Sequence, residues 1–325
     1  MIASEKSDLA FVFPGQGAQS VGMLDAFLAP SFAHHAVIAQ AQAQADAALG
    51  ESLSSLINSG PTENLSLTVN TQPAMLLAGY AAFAAWQAMG GPTARAMAGH
   101  SLGEYTALVA AQAISLPDAI KLVRLRASAM QSAVPVGTGS MAAILGLDDA
   151  TVKAVCEAAA QGQIVEPANF NAPSQVVISG HVGAVQRACE GAKAAGAKRA
   201  LPLAVSAPFH CSLLKPAGDK LALALAELIK GDKLKAPVTS VVNNIDAASP
   251  SSAAEIADAL VRQSWGPVRW VDLILHLRSL GITKIVEFGP GKVLTGLIPR
   301  IDKSMSAYPV FDPASLDAAL AAVNA

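Results

Sequence analysis

The sequence predicts an α/β fold, a mainly parallel sheet interrupted partway by a smaller unit of different connectivity. Three observations carry this. Apolar strand-like runs alternate with helical patterns through both ends of the chain. The stretch between them, residues 137–206, runs strand, helix, strand, strand, helix, strand. A Gly-x-Ser-x-Gly turn, Gly99 to Gly103, stands between a strand and a helix. With 325 residues, 52% hydrophobic and only 14% charged, the chain is long and apolar enough for a large core.

The elements follow in order. Leu9 to Phe13 is a short apolar run, read as a buried strand, and it feeds the loop Pro14-Gly15-Gln16-Gly17-Ala18-Gln19. Helices are expected over 31–49, 51–58 and 73–89. No charge lies between 64 and 94, which raises the membrane question. The apolar part, 75–89, is bracketed by Gln72, Pro73 and Gln87 and is shorter than a span, so it reads as a buried helix. A strand over 94–98 leads into the serine turn, and helices follow over 105–111 and 117–134. In the middle stretch, strands are expected at 141–147, 164–169, 175–179 and 199–205, with helices at 149–160 and 183–195. That order is ferredoxin-like (βαββαβ). Gly137-Thr138-Gly139 and Pro208 mark its junctions. The expected division is a large domain, 1–136 and 207–325, with a small domain, 137–206, inserted in it and a substrate cleft between them. The large domain resumes with a helix over 212–230, a strand over 239–243, helices over 252–263 and 271–280, a strand over 284–288 and a helix from 293.

Bulk chemistry excludes several classes. The net charge is −2 and no basic run exceeds two residues, which argues against nucleic acid as a partner. Cys156, Cys189 and Cys211 are scattered without a Cys-x-x-Cys, which argues against a disulfide framework and a zinc site. Residues 1–8 are polar and carry no signal-peptide pattern. A cytoplasmic protein with no membrane partner is expected.

The serine turn admits two readings. In one, Ser101 is a nucleophile on an α/β-hydrolase-like turn. Glycines without a Cβ let the strand fold tightly into the helix, and N–H groups at the helix start stabilise an oxyanion. In the other, Ser101 and Glu104 form a Ser-x-x-Glu capping box with no catalytic task.

A second feature lies in the helix over 117–134. Positions 119, 122, 126, 129, 133 and 120, 123, 127, 130, 134 form adjacent stripes, apolar throughout except for Arg126. A buried guanidinium needs a partner. Either it pairs internally, with Glu104 a candidate, or it is a fork for a substrate carboxylate.

A serine nucleophile needs a base. His34 and His35 fall in a polar helix, His100 adjoins the serine but points away from it, and His181 begins a loop of the small unit. His276 lies mid-helix, where packing is its natural role. His210 follows the extended Ser206-Ala207-Pro208-Phe209 at the return to the large domain, facing the cleft, and is the choice on geometry.

Six motifs occur in a fixed order: Phe13-Pro14-Gly15-Gln16-Gly17, Gly99-His100-Ser101-Leu102-Gly103-Glu104, Arg126 with Met130-Gln131, Asn169-Phe170-Asn171, Pro208-Phe209-His210 and Glu287-Phe288-Gly289-Pro290-Gly291. Together they closely resemble the malonyl-CoA:acyl carrier protein transacylases of fatty-acid synthesis, over about residues 9 to 300; the acyltransferase domains of polyketide synthases are similar. The resemblance implies that Ser101 carries a malonyl ester and that His210 is its general base and then acid. It implies an oxyanion hole from the N–H groups of Gln16 and Leu102, and Arg126 as the malonyl carboxylate's partner. It further implies that the Gln263 carbonyl orients the histidine and that Asn169 and Asn171 lie near the cleft. Stand-alone bacterial members usually have serine before the histidine. Phe209 departs from this and matches the malonyl-selective polyketide acyltransferases, narrowing the site beside the acyl α-carbon. Discrimination against one extra methyl is worth about 1–3 kcal/mol.

The implied reaction is ping-pong transfer from malonyl-CoA to the phosphopantetheine thiol of acyl carrier protein, with no metal or redox cofactor. An acidic carrier would meet a basic rim, with Lys198, Arg199 and Lys215 as candidates. The alternatives are a serine hydrolase or thioesterase using His276 with an aspartate, an acyltransferase of a polyketide or malonate decarboxylase system, and a non-catalytic carrier-binding module.

Overall fold

The computed structural model describes residues 7–325. The polar residues 1–6 lie outside that range. The chain opens with β1 (Leu9–Phe13), then α1 (Asp25–Leu28), α2 (His35–Leu49), α3 (Leu53–Ser59), α4 (Thr62–Leu65) and α5 (Thr68–Ala88). The serine turn joins β2 (Ala96–Gly99) to α6 (Gly103–Ala110), and α7 (Leu116–Ser132) follows. Next come β3 (Gly139–Leu145), α8 (Asp149–Ala160), β4 (Val165–Ala172), β5 (Gln175–His181), α9 (Val182–Ala194) and β6 (Arg199–Pro202). A 3-10 turn, Ser212–Leu214, opens α10 (Lys215–Lys230). The chain closes with β7 (Ser240–Val242), α11 (Ala253–Trp265), α12 (Trp270–Ser279), β8 (Lys284–Phe288), α13 (Val293–Ile301), β9 (Ser306–Val310) and α14 (Pro313–Asn324).

One sheet has the order β7-β2-β1-β8-β9 and all its pairings are parallel. Alternation along β1 decides its two faces. Leu9, Phe11 and Phe13 pack with α5, where Phe11 meets Phe83 and Trp86 edge-on. Ala10 and Val12 pack on the other side with Trp270, Leu273, Ile274 and Leu277 of α12 and Leu294 of α13. Small residues at 10, 96 and 98 let those helices approach closely. The second sheet, β4-β5-β3-β6, is antiparallel throughout and is backed by α8 and α9. Helix α8 connects β3 to β4 and α9 connects β5 to β6, each passing over one intervening strand of the sheet, the ferredoxin-like arrangement.

The antiparallel sheet meets α7 and the returning chain at a further cluster. Ala129 and Met130 of α7, Met141 of β3, Ala168 of β4, Val177 of β5, and Phe209 and Leu214 on the returning chain pack together. Strand β4 is also joined by main chain to the segment before α12: Phe170 N–H donates to Val268 O at 2.9 Å, and Val268 N–H to Ala168 O at 2.8 Å.

Several boundaries differ from the sequence expectation. Helix α5 starts at Thr68 rather than 73, so Pro73 lies inside it. The lost hydrogen bond is tolerated because packing, not propensity, holds a helix buried on nearly every side. The strand expected over 199–205 ends at Pro202, with one further main-chain bond, Leu203 N–H to Met141 O at 2.9 Å, beyond it. Strand β9 and helix α14 were not foreseen. β9 contains Pro309, tolerable because β9 is an edge strand. No helix among the described residues is long and apolar enough to cross a membrane.

Candidate active site

The turn from β2 into α6 is too tight for side chains at either glycine. A Cβ on Gly99 would lie 1.9 Å from the Gly103 carbonyl carbon, and one on Gly103 would lie 2.0 Å from Phe13 O. Between them Ser101 takes a left-handed backbone, φ 52°, which a residue with a Cβ adopts only under constraint. The capping-box alternative is not formed. Leu102 holds the N-cap position of α6 without a side-chain cap bond, and the buried Glu104 carboxylate turns elsewhere. Its Oε2 accepts from Asn244 N–H at 2.8 Å and from Gln263 Nε2 at 3.1 Å. Asn244 reaches both sides of the turn: Oδ1 accepts from Ser101 N–H at 2.6 Å, and Nδ2 donates to Gly99 O at 2.6 Å.

Ser101 Oγ lies 2.6 Å from His210 Nε2. The other ring nitrogen, Nδ1, faces two main-chain carbonyls, Gln263 O at 3.0 Å and Gly266 O at 3.2 Å. Carbonyls only accept, so Nδ1 carries the proton and Nε2 presents its lone pair to the serine. Burial, then the Arg126 charge and His100, push the His210 pKa down to about 3 against the lifting effect of the two carbonyls. The imidazole is therefore neutral and able to take a proton near neutral pH. The backbone at His210 is also left-handed, φ 61°.

Arg126 is 2% exposed. Its Nη1 donates to Gln72 Oε1 at 2.7 Å, and Nη2 donates to Gln263 Oε1 at 2.9 Å and Ser101 Oγ at 3.3 Å. Its Nε has no hydrogen-bond partner, and the guanidinium sits 5.2 Å from the Tyr105 ring centroid. Among the described residues it forms no ion pair. The internal pair with Glu104 is thus not made. The Gln263 amide stands between the two charges, accepting from one and donating to the other.

A cavity of about 140 Å³ opens on this constellation, lined by Gln16, Gln72, His100, Ser101, Leu102, Arg126, Met141, Asn169, Leu203, Phe209 and His210. The main-chain N–H groups of Gln16 and Leu102 have no acceptor among the described residues, and both residues line the cavity beside Ser101. Asn169 is nearly buried in the wall. Asn171 does not line the cavity; its Oδ1 lies 2.8 Å from His100 Nε2 and so fixes a wall residue. His276 lies on α12 and does not line the cavity. Sequence reasoning placed Gln263 here for its carbonyl alone and did not anticipate its side chain. It missed Gln72, Asn244 and the network around Glu104. A signal exists for Gln72 alone, a polar side chain at the head of the apolar run that begins at Pro73.

A family model described as acyl transferase domain matches residues 10–309. The chain is 51% identical over 314 residues to the malonyl CoA-acyl carrier protein transacylase of Salmonella typhimurium, covering 97% of this chain and 99% of that one. Among solved structures, the acyl-carrier-protein S-malonyltransferase of Burkholderia pseudomallei superposes with a TM-score of 0.92 at 59% identity, covering 96% of this chain and 99% of that chain. A malonyl-transacylase solved in complex with its type II PKS acyl-carrier protein superposes with a TM-score of 0.92 at 49% identity, covering 97% and 100%. The chain belongs to the acyl transferase family, among the malonyl CoA-acyl carrier protein transacylases.

Proposed function

We propose that this chain transfers the malonyl group of malonyl-CoA to the phosphopantetheine thiol of acyl carrier protein, supplying malonyl units for fatty-acid chain elongation. The observation that carries the reading is Arg126, a buried cation without an anionic partner among the described residues, 3.3 Å from the hydroxyl that His210 activates. A substrate carboxylate offsets its desolvation and sets the acyl carbonyl against Ser101.

Ser101 Oγ attacks the thioester carbonyl while its proton passes to His210 Nε2. The N–H groups of Gln16 and Leu102 hold the developing oxyanion. Collapse breaks the C–S bond, and the proton on His210 leaves with the CoA thiol. In the second half the carrier thiol gives its proton to His210, its sulfur attacks the malonyl ester, and Ser101 Oγ leaves and recovers the proton. The cycle changes no oxidation state and calls on no metal or cofactor beyond the thioester carriers. Phe209 narrows the cavity beside the acyl α-carbon, Asn169 supplies a polar wall, and Asn171 braces His100. The small domain, 137–206, forms one side of the cleft and the large domain, 1–136 and 207–325, the other. The reading carries a cytoplasmic location and no nucleic-acid or membrane partner.

The test is intact-protein mass spectrometry after brief mixing with malonyl-CoA, beside Ser101→Ala and an acetyl-CoA control. A malonyl-sized adduct that requires Ser101 and is discharged by holo-acyl carrier protein is expected. No adduct, or one lost to water as fast as to the carrier, replaces this reading with a hydrolase or a binding module.

A further inference from the structure

The transfer chemistry uses Ser101, His210 and Arg126, yet two polar side chains beside them are enclosed at least as fully and take no part in it. Asn244 is 0% exposed and Glu104 is 2% exposed. Neither lines the cavity, so neither touches substrate. Asn244 bonds to the nucleophile turn directly, and Glu104 bonds to Asn244 and Gln263.

Gly99 ends β2, and among the described residues Ser101 N–H has no main-chain acceptor. Asn244 is the one side chain that serves both, accepting from Ser101 N–H and donating to Gly99 O, each at 2.6 Å. A carboxamide is suited to this, because it offers an acceptor and a donor on one rigid plane. Asn244 stands two residues after β7, the neighbour of β2 in the parallel sheet, so the sheet itself brings it alongside. Its own N–H is fixed by Glu104 Oε2, in the first turn of α6. That same oxygen accepts from Gln263 Nε2, whose other contact is Ser101 O at 2.9 Å. Both main-chain polar groups of the nucleophile, N–H and C=O, are therefore held by side chains that converge on Glu104.

Ser101 needs this because φ 52° is unfavourable for a serine and persists only where its surroundings over-determine it. A turn free to relax would carry Oγ off the 2.6 Å line to His210. Asn244 also occupies the Ser101 N–H, leaving the Leu102 and Gln16 N–H groups as the free donors beside the carbonyl under attack.

We propose that Asn244, braced by Glu104, is a positioning residue that holds the left-handed backbone of Ser101 and so keeps its hydroxyl aligned with His210. This deepens the transfer reading above and rests on it for the identity of the reaction, although the alignment itself is read without an acyl donor. The protein is treated with a fluorophosphonate, which reacts at an activated serine: Oγ bonds to phosphorus, fluoride leaves and the Oγ proton goes to His210. The labelling rate of Ser101 is followed against pH in wild type, Asn244→Ala, Glu104→Ala and Glu104→Gln. Malonyl and acetyl transfer are measured in parallel.

Asn244→Ala is expected to label on the order of 100-fold more slowly, the scale of a misplacement by about 1 Å. The position of the acid limb stays as in wild type, because His210 keeps its surroundings, whereas collapse of the site would move that limb toward an ordinary imidazole's. The malonyl-to-acetyl ratio stays constant, since Arg126 is untouched, and the loss falls on kcat rather than KM. Glu104→Gln retains an oxygen for both donors and labels much faster than Glu104→Ala. If Asn244→Ala does not fold, the two Glu104 variants decide alone. Labelling of Asn244→Ala at the wild-type rate, a loss confined to KM or to malonyl, or equal damage from both Glu104 variants overturns the proposal. A wild type that labels rapidly but never forms a malonyl ester sinks the transfer reading and leaves this one standing.

Discussion

Arg126 stands where a cation is least stable, on an apolar helix stripe with neutral partners only. Removing water from an ion is a penalty of several kcal/mol, and hydrogen bonds to Gln72 and Gln263 offset part of it. Arg126→Ala is expected to slow malonyl transfer on the order of 100-fold or more, the scale of a buried charge contact, with far less effect on acetyl. Equal losses for the two donors, compared by kcat/KM, would remove the carboxylate role. A second prediction concerns His210. Its pKa, pushed down to about 3, means that no inflection near 6.5 limits Ser101 acylation. Rapid-quench acylation rates are expected to stay flat from neutral pH to about 5, because the base remains unprotonated there. A drop centred near 6.5 would show that the imidazole is hydrated. At this scale the sequence exposed residues whose type conflicts with their local pattern: Arg126 on its apolar stripe, Ser101 between glycines, His210 after an extended Pro-Phe. Asn244 and Glu104 conflict with nothing nearby. Asn244 reads as the loop residue after a strand, and Glu104 as part of a cap, because each is the other's partner across 140 residues.

The strand-turn-helix of β2 and α6 works as an element because backbone meets backbone without intervening side chains. Gly99 is closed off by main-chain atoms of α6 itself, whereas Gly103 packs on a separate segment. Its added Cβ would strike Phe13 O at 2.0 Å and Pro14 O at 2.9 Å, both main-chain atoms of the loop that carries Gln16. Overpacking against a movable side chain costs about 1–3 kcal/mol, and a main chain fixed in a sheet sits at or above that upper end. Gly103→Ala is expected to lower the urea midpoint markedly and to uncouple Gln16 from Ser101. Gly296→Ala, where a Cβ meets nothing within 4 Å, serves as the comparison. Equal midpoints for the two variants would show that the turn relaxes freely. Elements with a strong period or a turn at each end were legible from sequence, as α7 and the βαββαβ run show. Strand β9 was not. Ser-Ala-Tyr-Pro-Val has neither alternation nor a continuous apolar run, and it pairs only because β8 offers it an edge.

At the scale of the whole molecule, the site closes only where the two sheets meet. Strand β4 is bonded to the segment before α12, Asn171 of β4 holds His100, and Glu166 of β4 accepts from Ser212 N–H at 2.8 Å and Ser212 Oγ at 2.7 Å, two residues beyond His210. His210 and Glu104 are both buried beside this junction, and burial drives their pKa values in opposite directions. His210 falls to about 3 from 6.5. Within that window the unfolded chain binds a proton that the native state does not, so its contribution to stability is lost as pH falls. Glu104 rises to about 7 from 4.5. There the native state holds the extra proton, so stability is lost as pH rises through the window. Both slopes approach about 1.4 kcal/mol per pH unit at their steepest, and they oppose each other where the windows overlap, between 4.5 and 6.5. Removing either group should uncover the other. Relative to wild type, Glu104→Gln is expected to gain stability with rising pH across the overlap, and His210→Ala to lose it, measured as urea midpoints at constant ionic strength. Taking each variant as a difference from wild type cancels the titration of every group the two share. Slopes of the same sign in both variants would mean that at least one of these groups titrates in the folded protein as it does in water, and that the junction between the sheets admits solvent.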